Sequence, residues 1–218
     1  MANNSDFIRE ELEHFGKIYT DLTYGISEVS PFLDENELLK RKYYSKISIL
    51  KTYIEKLNTA SSTSSKKKFF NFLSSDNSYR DVENYKNQNK DAFLQFESCS
   101  KCACLNCVRD CEFKGCLGCR PDSYIKKCDK EKINIRTHNN FTLDLTNNNT
   151  GKASKYKVLA TLEDKELDKL YIILENIMDT SDKFILYYYP SISSDEFGEI
   201  TNADEFDFIV NTFEQSDY

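Results

Sequence analysis

Apolar residues recur along the first part of the chain in steps of four and three: Ile8, Leu12, Phe15, Tyr19, Leu22 and Ile26. This spacing lines one face of a helix over residues 5–26. Ser5 is placed to cap it, and Asp6, Glu10 and Glu11 stand near the positive end of its dipole. Pro31 interrupts the pattern, after which Asp34 is placed to cap a second helix with the stripe Leu39, Tyr43, Ile47, Leu50, Ile54 and Leu57. Two such stripes on a short connection predict an antiparallel helical hairpin over residues 1–57, each burying its face against the other.

Residues 58–68, NTASSTSSKKK, are small and polar, then basic, which predicts a flexible linker. Lys66, Lys67 and Lys68 precede Phe69 and Phe70, and three lysines read as a solvated run rather than an anionic-surface contact. Tyr79, Val82, Tyr85, Phe93 and Phe96 predict a third helix within residues 69–98. Beyond residue 128 the period changes to two. Ile133 and Ile135, then Phe141, Leu143 and Leu145, alternate on either side of His138-Asn139-Asn140, a pattern that predicts a hairpin. After a loop over residues 147–155, strands are expected through Tyr156, Val158, Ala160 and Leu162, over 170–177 and over 184–189, forming an antiparallel meander. The Tyr187-Tyr188-Tyr189 run fits a strand by propensity alone. A closing helix over 202–213, capped by Asn202 with Asp204 and Glu205 in its first turn, presents Phe206, Ile209, Val210 and Phe213 on one face to the sheet. The expected fold class is α+β, and residues 129–218 form a small acidic domain within it.

Between the helices and the strands lies the chemistry. All eight cysteines fall at Cys99, Cys102, Cys104, Cys107, Cys111, Cys116, Cys119 and Cys128, three pairs of them spaced Cys-x-x-Cys. Such a turn converges two sulfurs on one ion, and four thiolates close a tetrahedral shell around Zn2+, so eight suffice for two shells. Few large apolar residues accompany them (Leu105, Val108, Phe113, Leu117, Tyr124, Ile125), so metal would replace the missing core. One assignment puts Cys99, Cys102, Cys116 and Cys119 on one ion and Cys104, Cys107, Cys111 and Cys128 on the other. Sequential pairing or shared sulfurs are equally open.

Full shells leave no position for water, and the stretch holds no His, so the expected role of the zinc is structural. An iron–sulfur cluster, a disulfide framework and a metal store compete. The ferredoxin cysteine run is absent, the start MANNSDFIREELEHF lacks the pattern of a signal peptide, and the cysteines are a small part of an otherwise globular chain.

The 218 residues are 39% hydrophobic, enough for one medium domain or two small ones, and no apolar run approaches a membrane span. A cytoplasmic setting is expected. The net charge of -7 is uneven: residues 161–218 carry fifteen acids against three lysines, whereas residues 99–128 carry six basic residues against three acids. Eight thiolates and two zinc ions would largely cancel that basic excess, which weakens a nucleic-acid reading.

The segment from Tyr156 to Glu214, with YKVLATLED, DKLYIILENI, KFILYYYP, SSDEFGEI and DEFDFIVNTFE, resembles the DUF1292 (YrzB-like) family of small acidic bacterial proteins. The likeness covers about a quarter of the chain, and the connection 165–169 departs from the simplest form of the pattern. It implies a bacterial, cytoplasmic setting and strands closed by a helix. It carries no catalytic residues across.

No phosphate-binding glycine loop, His-Glu-x-x-His or Gly-x-Ser-x-Gly is present, and the only histidines are His14 and His138. His14 reads as a surface or half-buried helix residue. His138 would be a zinc ligand only if one cysteine were spare. No enzyme is expected. The favoured function is a zinc-binding interaction or adaptor protein whose acidic domain suits a basic protein partner. Nucleic-acid binding through Lys101, Arg109, Lys114, Arg120, Lys126 and Lys127 is the alternative, and a thiol-based metal or redox sensor is a third.

Overall fold

The computed structural model describes residues 4–66, 73–109, 113, 121–146, 151–192 and 194–216. They fall into two compact units, one of Met1–Ser100 with Leu105–Val108, the other of Lys101–Cys104 with Arg109–Tyr218. The first unit is helical, and the second holds an antiparallel sheet with one closing helix, as the α+β expectation requires.

In the first unit, α1 spans Asn4–Val29 and buries Ile8, Phe15, Ile18, Leu22 and Val29. Because it begins at Asn4, Ser5 lies inside the helix rather than capping it. The second predicted helix is broken. Asp34 does cap, its carboxylate accepting from Glu37 N at 3.0 Å, but the helix it opens, α2, is only Glu35–Lys40. The chain turns extended at Arg41, passes through a 3-10 turn at Tyr44–Lys46, and resumes as α3 over Ile47–Lys66. Leu38 is buried in consequence, while Leu39 of the predicted stripe is exposed.

Helix α3 runs on through Lys66, where composition predicts a linker. Two local effects account for it. Ala60 extends the buried stripe of Leu50, Tyr53 and Leu57, and the Thr59 and Ser62 hydroxyls donate to carbonyls four residues back. The third predicted helix is likewise two: α4 over Leu73–Gln88 and α5 over Lys90–Ser100. Asn89 is the joint. Its N–H closes α4 on Tyr85 and Lys86, and its carbonyl accepts from Ala92 and Phe93 to open α5.

Helix α1 packs on α3 and α5, and α3 on α4. At the centre the rings of Phe15, Tyr53 and Phe93 meet edge-on, with centroids 4.7–5.6 Å apart. Each ring buried there stabilises the unit by about 2–3 kcal/mol before entropy is counted.

The second unit is a seven-stranded antiparallel sheet in the order β1-β2-β4-β5-β6-β7, with β3 also on β4. The strands are β1 Ser123–Cys128, β2 Ile133–His138, β3 Thr142–Thr146, β4 Ala153–Asp164, β5 Lys169–Asn176, β6 Lys183–Tyr189 and β7 Glu196–Glu199. The hairpin predicted at His138-Asn139-Asn140 does not form. Strand β4 is long enough to hold β2 on its second half (Ile133 opposite Asp164) and β3 on its first (Thr142 opposite Lys157). Residues 138–140 therefore carry the chain onward along β4 instead of reversing it. The reversal lies one step earlier, between β1 and β2, where Asp129 Oδ1 accepts from the N–H groups of Glu131, Lys132 and Ile133 at 2.8–2.9 Å.

Alternation sorts the sheet's side chains onto two faces. Ile135, Ala160, Leu162, Tyr171 and Ile173 face the closing helix α6, Ala203–Glu214, which inserts Ile209. Val158, Ile172 and Leu174 point the other way, among half-buried Leu143, Tyr156, Phe184, Leu186, Tyr188 and Phe197. Asn202 caps α6 as expected, its side chain accepting from Asp204 and Glu205 N–H. Phe206, assigned by periodicity to the inner face, is 38% exposed, and the inward positions are Ile209, Val210 and Phe213.

No helix among the described residues is long and apolar enough to cross a membrane.

Candidate metal centre

Five of the eight predicted ligands lie among the described residues, and Cys111, Cys116 and Cys119 lie outside them. Cys99 sits near the end of α5, buried in the helical core, and Gln95 Nε2 donates to its Sγ at 3.1 Å. It thus belongs to α5, which ends at Ser100, one residue beyond the start expected for the cysteine-rich stretch. Cys102 and Cys104 are half-buried and adjoin each other. Their contact, followed by burial, pushes the Cys102 thiol well above its ordinary range. Cys128 ends β1, and the N–H of Lys130, two residues on, points at its Sγ at 3.3 Å. Lys130 reaches this pose through a positive φ of 71°. An N–H aimed at sulfur favours the thiolate, which is the form that ligates metal.

Residues 101–108 are held locally on each unit. In the sheet unit, Ala103 N–H donates to Ile125 O at 2.8 Å, which adds a backbone bond to the outer edge of β1. In the helical unit, the Arg41 guanidinium donates to the carbonyls of Leu105 and Cys107, and Tyr43 Oη donates to Leu105 O. Leu105 also lies against Gly25 of α1, so close that an added Cβ would stand 2.8 Å from its Cγ. Arg41 was not singled out by the sequence reading. Its one visible signal is a cation in the middle of a helical stripe that the helix does not complete.

Among the described residues, no group of three or more His, Cys, Asp or Glu side chains is gathered to hold a metal. The donor set nonetheless fits zinc in its chemistry: soft sulfur ligands in Cys-x-x-Cys pairs, with N–H donors on Cys99 and Cys128. The histidines are engaged elsewhere. His138 Nε2 is 3.1 Å from Thr161 Oγ1, and His14 Nε2 is 3.4 Å from Glu97 Oε1.

The acidic domain has an electrostatic feature of its own. Glu205 of α6 accepts from Lys169 Nζ at 2.7 and 2.9 Å and from Tyr171 Oη at 2.6 Å. Burial alone would raise its pKa, but the donors Lys169, Tyr171 and Tyr187 outweigh it and hold the carboxyl below its ordinary value. Lys169 is raised in turn, chiefly by the same bond. From residue 184 to the end the chain contains eight Asp or Glu and no Lys or Arg, so Glu205 draws its cation from β5.

No family model matches this chain, and no curated protein or solved structure is similar to it.

Proposed function

We propose that this is a non-enzymatic, zinc-binding interaction protein of the cytoplasm, whose acidic C-terminal domain docks a basic protein partner. The observation that carries the partner reading is the cation-free acidic stretch after Lys183. A stretch of this sign attracts and orients a basic surface and repels phosphate, which favours protein over nucleic acid as the partner. Cys99, Cys102, Cys104, Cys107, Cys111, Cys116, Cys119 and Cys128 are the proposed ligands of two structural Zn2+ ions. The bacterial setting rests on the resemblance of residues 156–214 to the DUF1292 family.

Native and denaturing mass spectrometry of protein purified without added metal tests the zinc reading, alongside a thiol count. Two zinc ions per chain, with no reactive thiol until a chelator is added, is the expected result. Bound iron with visible absorbance, or four disulfides and no metal, would refute it.

A further inference from the structure

Strand β7 ends the sheet, and among the described residues it pairs with β6 alone. Among the described residues its outer edge takes no strand partner, and such an edge is the template that an incoming strand uses. The register states what such a strand would meet. Glu196 lies opposite Tyr189, Phe197 opposite Tyr188, Gly198 opposite Tyr187 and Glu199 opposite Leu186. Directly paired residues share a face, so Glu196 and Gly198 sit with Tyr189 and Tyr187, and Phe197 and Glu199 with Tyr188 and Leu186.

We propose that the outer edge of β7 adds an extended, antiparallel segment of a basic protein partner, with Lys or Arg opposite Glu199 and Glu196 and two apolar residues between them. This rests on the reading of the acidic domain as a partner-binding domain and names the kind of segment it takes.

Charge selects the occupant. Glu196 and Glu199 are exposed and join no ion pair among the described residues, and Lys169, two strands away on β5, is engaged by Glu205. A cation opposite Glu196 would also lie beside Tyr189, which is 54% exposed, so its ring face is open to a second attraction. The two central positions want bulk. Phe197 is stacked on Tyr188 at 5.8 Å between centroids, and an apolar neighbour would extend that row. Gly198 leaves the rings of Tyr187 and Tyr189 uncovered, with nearest atoms 3.5 Å from where a Cβ would stand, so a large side chain opposite it would close over them.

The same acids exclude a second copy of this chain. Antiparallel pairing of β7 with itself about the midpoint of Phe197 and Gly198 sets Glu196 against Glu199 twice, and like charges directly opposite are unfavourable.

The test is fluorescence anisotropy of a short synthetic peptide centred on Lys-Tyr-Val-Lys, titrated with the full chain. Two N-methylated versions, each blocking alternate backbone N–H groups, accompany it. One of the two is expected to bind roughly tenfold more weakly than the other, because only one set of N–H groups faces β7. The charge reversal E196K/E199K is expected to weaken the unmodified peptide roughly tenfold, and the equally charged control D207K/E214K by no more than about twofold. Equal binding of the two N-methylated peptides, or equal losses from the two variants, would overturn strand addition while leaving a general acidic docking surface in place. No binding of any basic peptide at low salt would overturn both. The peptide arm uses the unmodified protein, so the answer does not depend on either variant folding.

Discussion

At the scale of single residues, the phenols of Tyr53 and Tyr171 tie proton binding to folding. Tyr53 is fully buried and donates to Glu11 Oε2 at 2.5 Å, while Lys86 Nζ donates to both oxygens of the same carboxylate. Burial first, then the Glu11 bond, pushes the Tyr53 phenol far above its ordinary value, and burial with Glu205 does the same to Tyr171. In the unfolded chain these groups ionise near pH ~10, whereas in the folded one they stay protonated. The folded state then binds more protons, so their contribution is complete below pH ~10 and is lost as pH rises further. Tyr53→Phe is expected to cost about 1–2 kcal/mol at neutral pH and to flatten the loss of stability above pH ~10. Urea midpoints at the two pH values check it, and parallel losses in wild type and variant would refute it.

Glu205 has the opposite sign. Its carboxyl is held below the ordinary value, so its contribution is present above the unfolded pKa and is lost as pH falls. Glu205→Gln is expected to cost about 1–2 kcal/mol at pH 7, discounted for partial exposure, and to make stability less sensitive to acid. An acid titration of the sheet unit's circular dichroism reads the difference.

At the scale of elements, helix α1 offers an internal control on what a close approach costs. Its two glycines sit in different surroundings: an added Cβ at Gly16 meets nothing within 4 Å, whereas at Gly25 it meets Leu105 Cγ at 2.8 Å, Leu105 Cδ1 at 2.9 Å and Asn106 Oδ1 at 3.1 Å. Helix propensity alone favours alanine at both sites by about 1 kcal/mol. Gly16→Ala is therefore expected to stabilise the helical unit by up to about 1 kcal/mol, and Gly25→Ala to destabilise it by a similar amount as Leu105 is displaced. Equal gains at both positions, measured by urea unfolding, would mean that residues 105–106 do not press on α1.

This contact also shows where the sequence could be read and where it could not. Periodicity located α1, the strands β4, β5 and β6 and the capped α6, because each carries its own local pattern. It placed no break at Arg41, whose guanidinium reaches carbonyl acceptors more than sixty residues away that no local pattern encodes. It read 58–68 as a linker, of which 58–66 is helix and 67–68 lie outside the described residues, because small hydroxyl residues look alike whether they solvate a loop or bond back into a helix. It paired the strands through 133–146 by proximity, although the length of β4 decided their partners. Strand β7 was not among the expected strands, being four residues long with glutamates at both ends. For the candidate site, the cysteine spacing was legible throughout. The donors behind it, the Lys130 backbone N–H on Cys128 and the Arg41 guanidinium on the Leu105 and Cys107 carbonyls, depend on a positive φ and on tertiary contacts that spacing does not encode.

At the scale of the whole molecule, the proposed metal and the two cores should respond differently to a chelator. The helical core is built from Phe15, Leu22, Leu50, Tyr53, Leu57, Phe93 and Phe96, and the sheet cores from Ile135, Val158, Leu162, Tyr171, Ile172 and Leu174, all outside residues 99–128. Among the described residues Cys99 is the one proposed ligand within those clusters, buried there with Gln95 donating to its sulfur. Residues 101–120 carry few large apolar side chains, Leu105, Val108, Phe113 and Leu117. If two zinc ions supply the missing order, their removal exposes the seven proposed ligands other than Cys99, which stays buried in the helical core, and frees the amides of that stretch, while α3 and β5 keep their protection. Hydrogen exchange read by mass spectrometry, before and after chelation, distinguishes the cases. Uniform loss of protection through α3 and β5 would mean that the metal supports both cores, and unchanged exchange over 101–120 would mean that the stretch is ordered without it.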